Sequence, residues 1–304
     1  MIGAEPVSVL VCTRDRPALL REAVKEILAS DYKEFELHVI DQSSDDSSER
    51  GIAEFRCDSR LIYARTDTRG LSRARNLGVS RAKAGIIAMT DDDCRVERDW
   101  LREMVAAFGV SDRIAVVFGN VVPAAHDHSR GFILGYLRTS PFLASRITDK
   151  ARVEGMGACM GIRSEAWTAL SGFDQMLGAG SRFPSSDETD FVVRALLAGY
   201  QAYETPAPKV VHEGFRRRED ADQLIHGYLK GIGAMLAKHV KCGTLPVFHV
   251  YRALALRWMF GHPVVEYGFR PARWVRLSGF LEGSFEAAKT EVDSKTGLFV
   301  ATET

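Results

Sequence analysis

Three adjacent carboxylates follow an apolar run in the stretch AGIIAMTDDDCRV. Residues 86–89 (IIAM) lead through a threonine into Asp91, Asp92 and Asp93. Neighbouring carboxylates repel one another, so three of them at the end of a buried strand cost electrostatic free energy. A divalent cation would offset that cost, because hard cations take carboxylate oxygens as ligands. The alternative is a solvated acidic loop that binds nothing.

A second acidic group stands in the stretch SSDETDFVVRALLAGY. Apolar residues within 191–196 recur at helical spacing, which places Asp187 and Glu188 in the first turn of a helix. Carboxylates there can simply stabilise the helix dipole. Alternatively, one of them is a general base that takes a proton from a hydroxyl. Asp190 and Arg194, four residues apart, are expected to form a structural ion pair.

Strands and helices alternate along the sequence. Strands are predicted at 7–12, 35–40, 61–64, 86–90 and 114–118, and helices from Pro17, over 71–84 and over 99–108. Such alternation predicts an α/β fold with a mostly parallel sheet and helices on both faces.

Polar residues follow three of the predicted strands. They are Thr13-Arg14-Asp15, the run DQSSDD over 41–46, and the aspartate triplet 91–93. Ligands of open α/β sheets bind beyond the carboxyl ends of the strands. Three polar strand ends on one edge therefore predict a pocket, which favours a binding site over a solvated loop.

Several classes of protein are excluded or disfavoured. The segment VCTRDRP after the first strand has no glycine-rich phosphate loop, which argues against a dinucleotide-binding dehydrogenase and a P-loop NTPase. The 40 basic and 40 acidic side chains cancel, so net charge points to no partner. Nucleic-acid binding is disfavoured, because the basic residues cluster only near the C-terminus.

The cysteines and the N-terminus indicate a cytoplasmic protein. The five cysteines have no CxxC spacing and are expected to be free thiols in a reducing compartment. The start MIGAEPVSVLVC has no basic leader and enters a strand directly, so no signal peptide is expected. No run of about 18 apolar residues predicts a transmembrane helix.

Six segments occur in the order typical of glycosyltransferase family 2. They are VSVLVCTRDRP, FELHVIDQSSDDSS, RGLSRARNLGVSRAKAGIIAMTDDDC, GACMGIRSEAWTALSGFDQMLGAG, SSDETDFVVRALLAGY and KVVHEGFR. Over about residues 6 to 215 the sequence resembles that family of inverting transferases. The resemblance implies the GT-A (Rossmann-like) fold, a nucleoside-diphosphate sugar donor, Mg²⁺ or Mn²⁺ on a DxD motif, and a carboxylate base. It also suggests polysaccharide biosynthesis at the cell envelope.

The resemblance assigns a metal site. Asp91 and Asp93 match the outer positions of the DxD motif, and either they or Asp92 would bind the metal while another contacts the ribose. His212, at the end of the segment KVVH, matches a third member of the metal site; a satisfied strand-end histidine is the alternative.

The resemblance also assigns nucleotide-binding residues. Thr13 and Asp15 match positions that line the nucleotide, and Arg14 stands between them. Asp41 is retained, but Gln42 replaces the second acidic residue that often faces the base, which leaves the nucleotide open. An amide can still donate and accept at a base edge. Arg75 matches a basic helix start near the diphosphate, and Asp92 completes the nucleotide-binding set.

The two acidic residues that include the predicted base occur in the reverse of the order usual in the family. The family commonly has Glu-Asp with the second acid as base, whereas this chain has Asp-Glu. Glu188 is therefore predicted as the base, with Asp187 as the main rival. Phe183, in the polar loop before them, is predicted to face the acceptor.

Residues 1–220 are predicted to form the catalytic domain and residues 221–304 a helical C-terminal extension. Between His226 and Phe280 about eight Lys or Arg residues stand against one acid, Glu266, among many aromatic residues. This composition suits either an anionic membrane surface or helices that cover the sheet with basic faces in water. A glycan or lipid-linked acceptor is expected, with membrane contact at the inner face as one alternative.

Two rival functions stay open. A sugar-nucleotide-forming nucleotidyltransferase uses a similar sheet but favours a glycine-rich N-terminal signature, which CTRDRP lacks. A non-catalytic nucleotide- or glycan-binding protein would lack a base or a metal site, whereas candidates for both are present.

Overall fold

The computed structural model of the protein describes residues 5–244, 246–248 and 272–300. Its strands are β1 (Val7–Thr13), β2 (Phe35–Asp41), β3 (Leu61–Arg65), β4 (Ile86–Asp91), β5 (Cys94–Val96), β6 (Ile114–Pro123), β7 (Gly131–Ile133), β8 (Phe142–Ala144), β9 (Met160–Arg163), β10 (Gln201–His212), β11 (Phe215–Arg217), β12 (Val292–Asp293) and β13 (Leu298–Phe299). Its helices are α1 (Pro17–Leu28), α2 (Ser47–Gly51), α3 (Leu71–Arg81), α4 (Trp100–Phe108), α5 (Ser164–Ala169), α6 (Asp187–Leu197), α7 (Ala221–Lys241) and α8 (Arg273–Lys289).

Nine strands form the main sheet in the order β3-β2-β1-β4-β9-β6-β10-β5, with β8 also paired to β10. β1, β2, β3, β4, β6 and β10 run in one direction, and β5, β8 and β9 run against them. β7 pairs with β11, and β12 with β13. The predicted mostly parallel α/β sheet is confirmed.

Helices cover both faces of the sheet, also as predicted. In β1, Val9 and Val11 pack with α1 and α4, whereas Leu10 between them packs with α3, α5 and α6. This follows from the two-residue period of a strand, which sends successive side chains to opposite faces.

One predicted helix ends early. The helix expected over 71–84 stops at Arg81, because Ala82 takes an extended conformation with φ −66° and ψ 143°. Residues 82–85, with a bend at 84 and 85, carry the chain into β4, so the aspartate triplet keeps its place at the end of that strand.

Beyond β11 the chain forms a helical pair. α7 begins at Ala221 and α8 packs along it. The division into two domains at residue 220 stays a prediction, and the aromatic and basic residues of the segment 249–271 lie outside the described residues. None of the helices in the described part of the chain combines the length and the apolarity that a bilayer crossing requires.

A buried ion cluster ties α7 to α6. Lys238 is completely buried, and its Nζ lies 2.7 Å from Asp174 Oδ2 and 2.6 Å from Asp190 Oδ1. Asp190 also pairs with Arg194 at 2.8 Å, as the sequence predicted, and contacts His239 Nε2 at 3.1 Å. Contacts from Lys238 and His239 of α7 thus hold the first turn of α6, where the candidate base lies.

Candidate active site

The carboxyl ends of β1, β2 and β4 meet at one edge of the sheet. Thr13 pairs in register with Asp41, and the preceding residue of β1 pairs with Asp91. Thr13 Oγ1 donates a hydrogen bond of 2.7 Å to Asp92 Oδ2. Burial raises the pKa of Asp92 to about 6 even though the Arg16 guanidinium opposes it. Asp92 therefore joins β1 to the triplet rather than facing open solvent.

Arg16 pairs with two carboxylates of the triplet. Its Nη1 lies 3.0 Å from Asp92 Oδ1 and 3.1 Å from Asp93 Oδ2. Arg14, the predicted nucleotide-binding arginine, is exposed and lies 3.5 Å from Asp15. Sequence analysis missed Arg16 because both arginines flank one turn, and only the backbone path through that turn decides which guanidinium faces the aspartates.

Asp93 and His212 form the core of a candidate metal centre. His212 Nε2 lies 3.4 Å from Asp93 Oδ1, and with Cys94 Sγ these atoms form a cluster within 4.8 Å of one another. Burial raises the pKa of Asp93, but His212 and Arg16 more than offset this and hold the pKa below its usual value. Burial lowers the pKa of His212, whereas Asp93 raises it, and the net shift is upward.

The donor set fits a divalent cation. The second ring nitrogen of His212, Nδ1, lies 2.7 Å from the carbonyl oxygen of Leu134. That partner fixes the ring and leaves Nε2 free to bind a metal. Ligands at about 2.1 Å from a common ion in adjacent octahedral positions lie about 3 Å apart, close to the observed separation. Oxygen-preferring ions suit the carboxylate and the imidazole better than the thiol of Cys94.

Gly214 keeps this centre open. A Cβ at residue 214 would lie 2.5 Å from His212 Nε2 and 2.8 Å from Asp93 Oδ2. A side chain there would occupy the space beside both donor atoms. The missing side chain thus leaves room at the point where an ion would bind.

Gly214→Ala is expected to weaken cation-dependent stabilisation at least tenfold, measured as the Mn²⁺ concentration that gives half of the shift in melting temperature. The added methyl group crowds both donor atoms and displaces the imidazole. Gly85→Ala is the matched control, because a Cβ at that exposed site meets only Glu5 Oε1 at 4.0 Å. Equal Mn²⁺ responses of the two variants would contradict the proposed centre.

Arg75 joins the triplet to the first turn of α6. Its Nη1 lies 2.7 Å from Asp187 Oδ2, and its Nη2 lies 3.6 Å from Asp91 Oδ1. Burial disfavours the charged guanidinium, but Asp187 and Asp91 raise the pKa of Arg75, so it is always protonated. Gly157 permits this position, because a Cβ there would lie 2.5 Å from Arg75 Nη2.

Glu188 differs from its neighbour Asp187 in having no ion-pairing partner among the described residues. Among the residues that the structure describes, no lysine, arginine or histidine lies within ion-pairing distance of Glu188. Burial, followed by the negative charge of Asp187, raises the pKa of Glu188 well above the usual range of a glutamate. A carboxylate that holds a proton this strongly is suited to act as a base, whereas Asp187 is already neutralised by Arg75.

The remaining predicted nucleotide residues shape the loops around the pocket. Asp15, with φ 55°, accepts hydrogen bonds from the backbone N–H and hydroxyl of Ser44. Asp41 is fully buried and accepts hydrogen bonds from Ser43 N–H and Tyr63 O–H. Gln42 Nε2 donates to the carbonyl oxygens of residues 68 and 70. These bonds favour supporting roles, and direct nucleotide contacts stay predictions.

The prediction that Phe183 faces the acceptor is wrong. Phe183 is completely buried, and its ring centroid lies 5.1 Å from that of Phe299. The polar sequence around it suggested exposure, but the C-terminal β12–β13 hairpin packs over this loop. The local sequence could not show that contact with a distant segment.

Two further residues near the site were not assigned from the sequence. The positive charge of Arg216 contributes to the low pKa of Asp93. Burial raises the pKa of Tyr228 to about 12, with Arg216 and Glu188 as the strongest charged influences. In the sequence Tyr228 is one of the many aromatic residues between His226 and Phe280, and nothing in that pattern singles it out. The position of α7 brings the Tyr228 ring near Glu188, Asp91 and Asp187.

The fold and this edge of the sheet define a class of protein. A mostly parallel α/β sheet carries carboxylates, a histidine and arginines beyond its strand ends, where nucleotide ligands of such sheets bind. The family model for glycosyl transferase family 2 matches residues 8–168, which is more than half of the 304-residue chain. The chain belongs to that family.

Curated relatives match over part of their length. Glucosyl-dolichyl phosphate glucuronosyltransferase of Haloferax volcanii is 30% identical over 120 residues, which cover 38% of each chain. Glycosyltransferase GlyA of Streptococcus pneumoniae is 28% identical over 105 residues, which cover 34% of this chain and 15% of that protein. The matched stretches thus span well under half of these relatives.

Solved structures share the fold at low sequence identity. The mannosyltransferase PcManGT from Pyrobaculum calidifontis, in complex with GDP-Man and Mn²⁺, has a TM-score of 0.62 at 19% identity, covering 96% of this chain and 78% of that one. S. aureus TarS 1-349 has a TM-score of 0.60 at 13% identity, covering 93% and 82%. The fold is therefore the GT-A fold that the sequence predicted.

Proposed function

We propose that this protein is an inverting glycosyltransferase. It would transfer a sugar from a nucleoside-diphosphate sugar to a hydroxyl group of a glycan or a lipid-linked acceptor. The observation that carries the proposal is the buried Arg75 bridge between the aspartate triplet, which leads into the Asp93–His212 centre, and the first turn of α6, where Glu188 has no ion-pairing cation among the described residues. Arg75 links the two parts, because it contacts both Asp91 and Asp187.

In the proposed reaction Glu188 takes the proton of the acceptor hydroxyl. The acceptor oxygen forms a bond to the anomeric carbon while the bond from that carbon to the diphosphate breaks on the opposite face, and the nucleoside diphosphate leaves. Arg75 and Arg216 would bind the diphosphate oxygens, because guanidinium groups match them in charge and geometry. Mg²⁺ or Mn²⁺ at Asp93 and His212 would stabilise the charge that grows on the leaving group.

The relatives support this proposal at the level of chemistry. One is named a glucuronosyltransferase that acts on a glucosyl-dolichyl phosphate, and one structural neighbour is a mannosyltransferase with GDP-Man and Mn²⁺. Both names indicate sugar transfer, and the second indicates a nucleotide donor with a divalent cation.

The test is thermal stabilisation by a panel of nucleoside diphosphates and their sugar conjugates, each with and without Mn²⁺. One nucleotide at 100-fold its dissociation constant should stabilise the protein by about 2.7 kcal/mol, and only with the cation. Asp93→Asn should abolish the cation-dependent part, because the amide is a neutral and weaker ligand. Asp112→Asn, at an exposed site, should behave like the natural protein.

Two outcomes would count against the proposal. If no nucleotide gives a cation-dependent shift, the donor site is absent. If the Asp93→Asn protein keeps the full shift, the centre lies elsewhere.

The pH dependence of kcat/KM tests the base. The active form of Glu188 is the carboxylate, and its pKa is raised. The rate is therefore expected to rise with pH and to level off only above the ordinary pKa range of glutamate. This rise should be missing from the residual activity of Glu188→Gln. A rate that is already constant above pH 5 would contradict the raised pKa.

A further inference from the structure

α8 packs against α7 with its smallest residues. Its buried positions are Val275, Gly279, Gly283 and Ala287, spaced four residues apart. A Cβ on Gly283 would lie 1.9 Å from the carbonyl oxygen of Lys230, and one on Gly279 would lie 2.4 Å from that of residue 226. The two backbones therefore approach so closely that larger side chains have no room.

The opposite face of α8 carries its large apolar side chains. Trp274 is 71% exposed, Leu277 43%, Leu281 55% and Phe285 65%. Spacings of three and four residues place these four side chains, here called the α8 stripe, on one side of the helix. An amphipathic helix of a globular protein buries such residues. α8 buries Val275, two glycines and an alanine, half-buries Phe280, and leaves the four stripe residues exposed.

The charges around the stripe favour an anionic surface. The acidic residues of α8, Glu282 and Glu286, lie off the stripe, and Lys230 Nζ binds both at 2.7 and 2.8 Å. Arg273 and Lys289 are exposed at the two ends of the helix. In the sequence, residues 249–271 just before the helix contain three arginines and one glutamate. Tryptophan, phenylalanine and leucine beside basic residues are typical of helices that lie in a lipid interface.

The buried face of α8 lies one helix away from the loop that leads into Glu188. Gly279 packs on the carbonyl of residue 226, two positions before Tyr228. The carbonyl oxygen of Tyr228 accepts a hydrogen bond of 2.8 Å from Ser185 Oγ, in the loop that leads into Glu188. α7 alone therefore separates α8 from the loop that leads into the candidate active site.

We propose that the α8 stripe docks this protein on a membrane that contains anionic lipids. The four side chains enter the headgroup region, and the flanking basic residues contact lipid phosphates. Docking by itself does not depend on the transfer reaction. Docking would also bring a lipid-linked acceptor to the candidate active site, and only this consequence rests on the proposed function.

The test is co-flotation of the full chain with vesicles of phosphatidylcholine alone or with one quarter phosphatidylglycerol. The natural protein should float with the anionic vesicles and at least tenfold less with the neutral ones. Trp274→Ser/Phe285→Ser should lower partition into anionic vesicles at least tenfold. Val110→Ser/Leu197→Ser is the matched control, because it removes two exposed apolar side chains outside α8 and should leave flotation unchanged.

Several results would overturn the docking surface. They are the absence of flotation of the natural protein, equal flotation on neutral vesicles, and equal losses in the two double variants. Sedimentation velocity tests whether the stripe binds a second copy of the chain instead. A natural protein that is a dimer and does not bind vesicles, together with a monomeric Trp274→Ser/Phe285→Ser variant, would assign the stripe to a dimer interface.

The nucleotide and Mn²⁺ shift, measured without vesicles, keeps the two proposals separate. It should be the same in the natural protein and in both double variants. If the nucleotide and Mn²⁺ cause no shift in melting temperature in any sample while flotation is intact, the proposed function is contradicted and the docking surface is not.

Discussion

Glu188→Gln is expected to lower turnover by a factor of about 10²–10⁴, the usual contribution of a positioned general base. Glutamine keeps the shape of the side chain but cannot accept the acceptor proton. Donor and cation binding should persist, because Glu188 contacts neither Arg75 nor the Asp93–His212 pair at ion-pairing distance. The measurement is release of nucleoside diphosphate from the sugar nucleotide that stabilises the protein most, at saturating Mn²⁺.

The folded state of this variant should be at least as stable as that of the natural protein. Because the pKa of Glu188 is raised on folding, the charged carboxylate destabilises the folded state as pH rises through that pKa. The neutral amide removes this cost, so the melting temperature at alkaline pH should be equal or higher. A loss of activity accompanied by a lower melting temperature would indicate a structural defect instead.

Two variants make the assignment specific. Glu165→Gln changes an exposed glutamate in the first turn of α5 and should keep full activity. Asp187→Asn should weaken donor binding through Arg75 as well as slow the reaction. If Glu188→Gln turns over normally while Asp187→Asn is inactive with unchanged donor binding, the base is Asp187.

Lys238→Met is expected to lower the free energy of unfolding by about 3–5 kcal/mol, the typical effect of removing one partner of a buried ion pair. Methionine fills a similar volume but has no charge. Asp174 and Asp190 would therefore lose the cation that they share. Burial raises the pKa of Asp190, but Lys238 and Arg194 more than offset this and hold it far below the usual value. The measurement is urea unfolding at neutral pH.

A matched surface substitution isolates the effect of burial. Lys25→Met, at an exposed lysine paired with Glu22 at 3.1 Å, should change the unfolding free energy by less than about 1 kcal/mol. Because the pKa of Asp190 is depressed on folding, the stability it contributes is present above its unfolded pKa and is lost as pH falls. A Lys238→Met effect no larger than that of Lys25→Met would show that the cluster does not anchor α6.

The sequence by itself determined five of the nine strands of the main sheet (β1, β2, β3, β4 and β6) and the polar residues that follow three of them. Apolar residues at a two-residue period can be buried only in strands of a sheet, and those at a helical period only on one face of a helix. These local periods placed β1, α1 and β4 nearly residue by residue. They also placed the aspartate triplet after β4 and Glu188 in the first turn of α6, because those positions follow directly from where the elements start and end.

Only the tertiary structure decided which side chains meet. Arg16 rather than Arg14 faces the triplet, Gly214 leaves space beside Asp93, and Lys238 enters the core between two aspartates. Each of these contacts joins segments far apart in sequence, so no local period encodes it. The exposure of the α8 stripe was likewise decided by the tertiary structure. The sequence of α8 has one face with small residues and one with large apolar residues, and only the close approach of α7 shows that the face with small residues is buried.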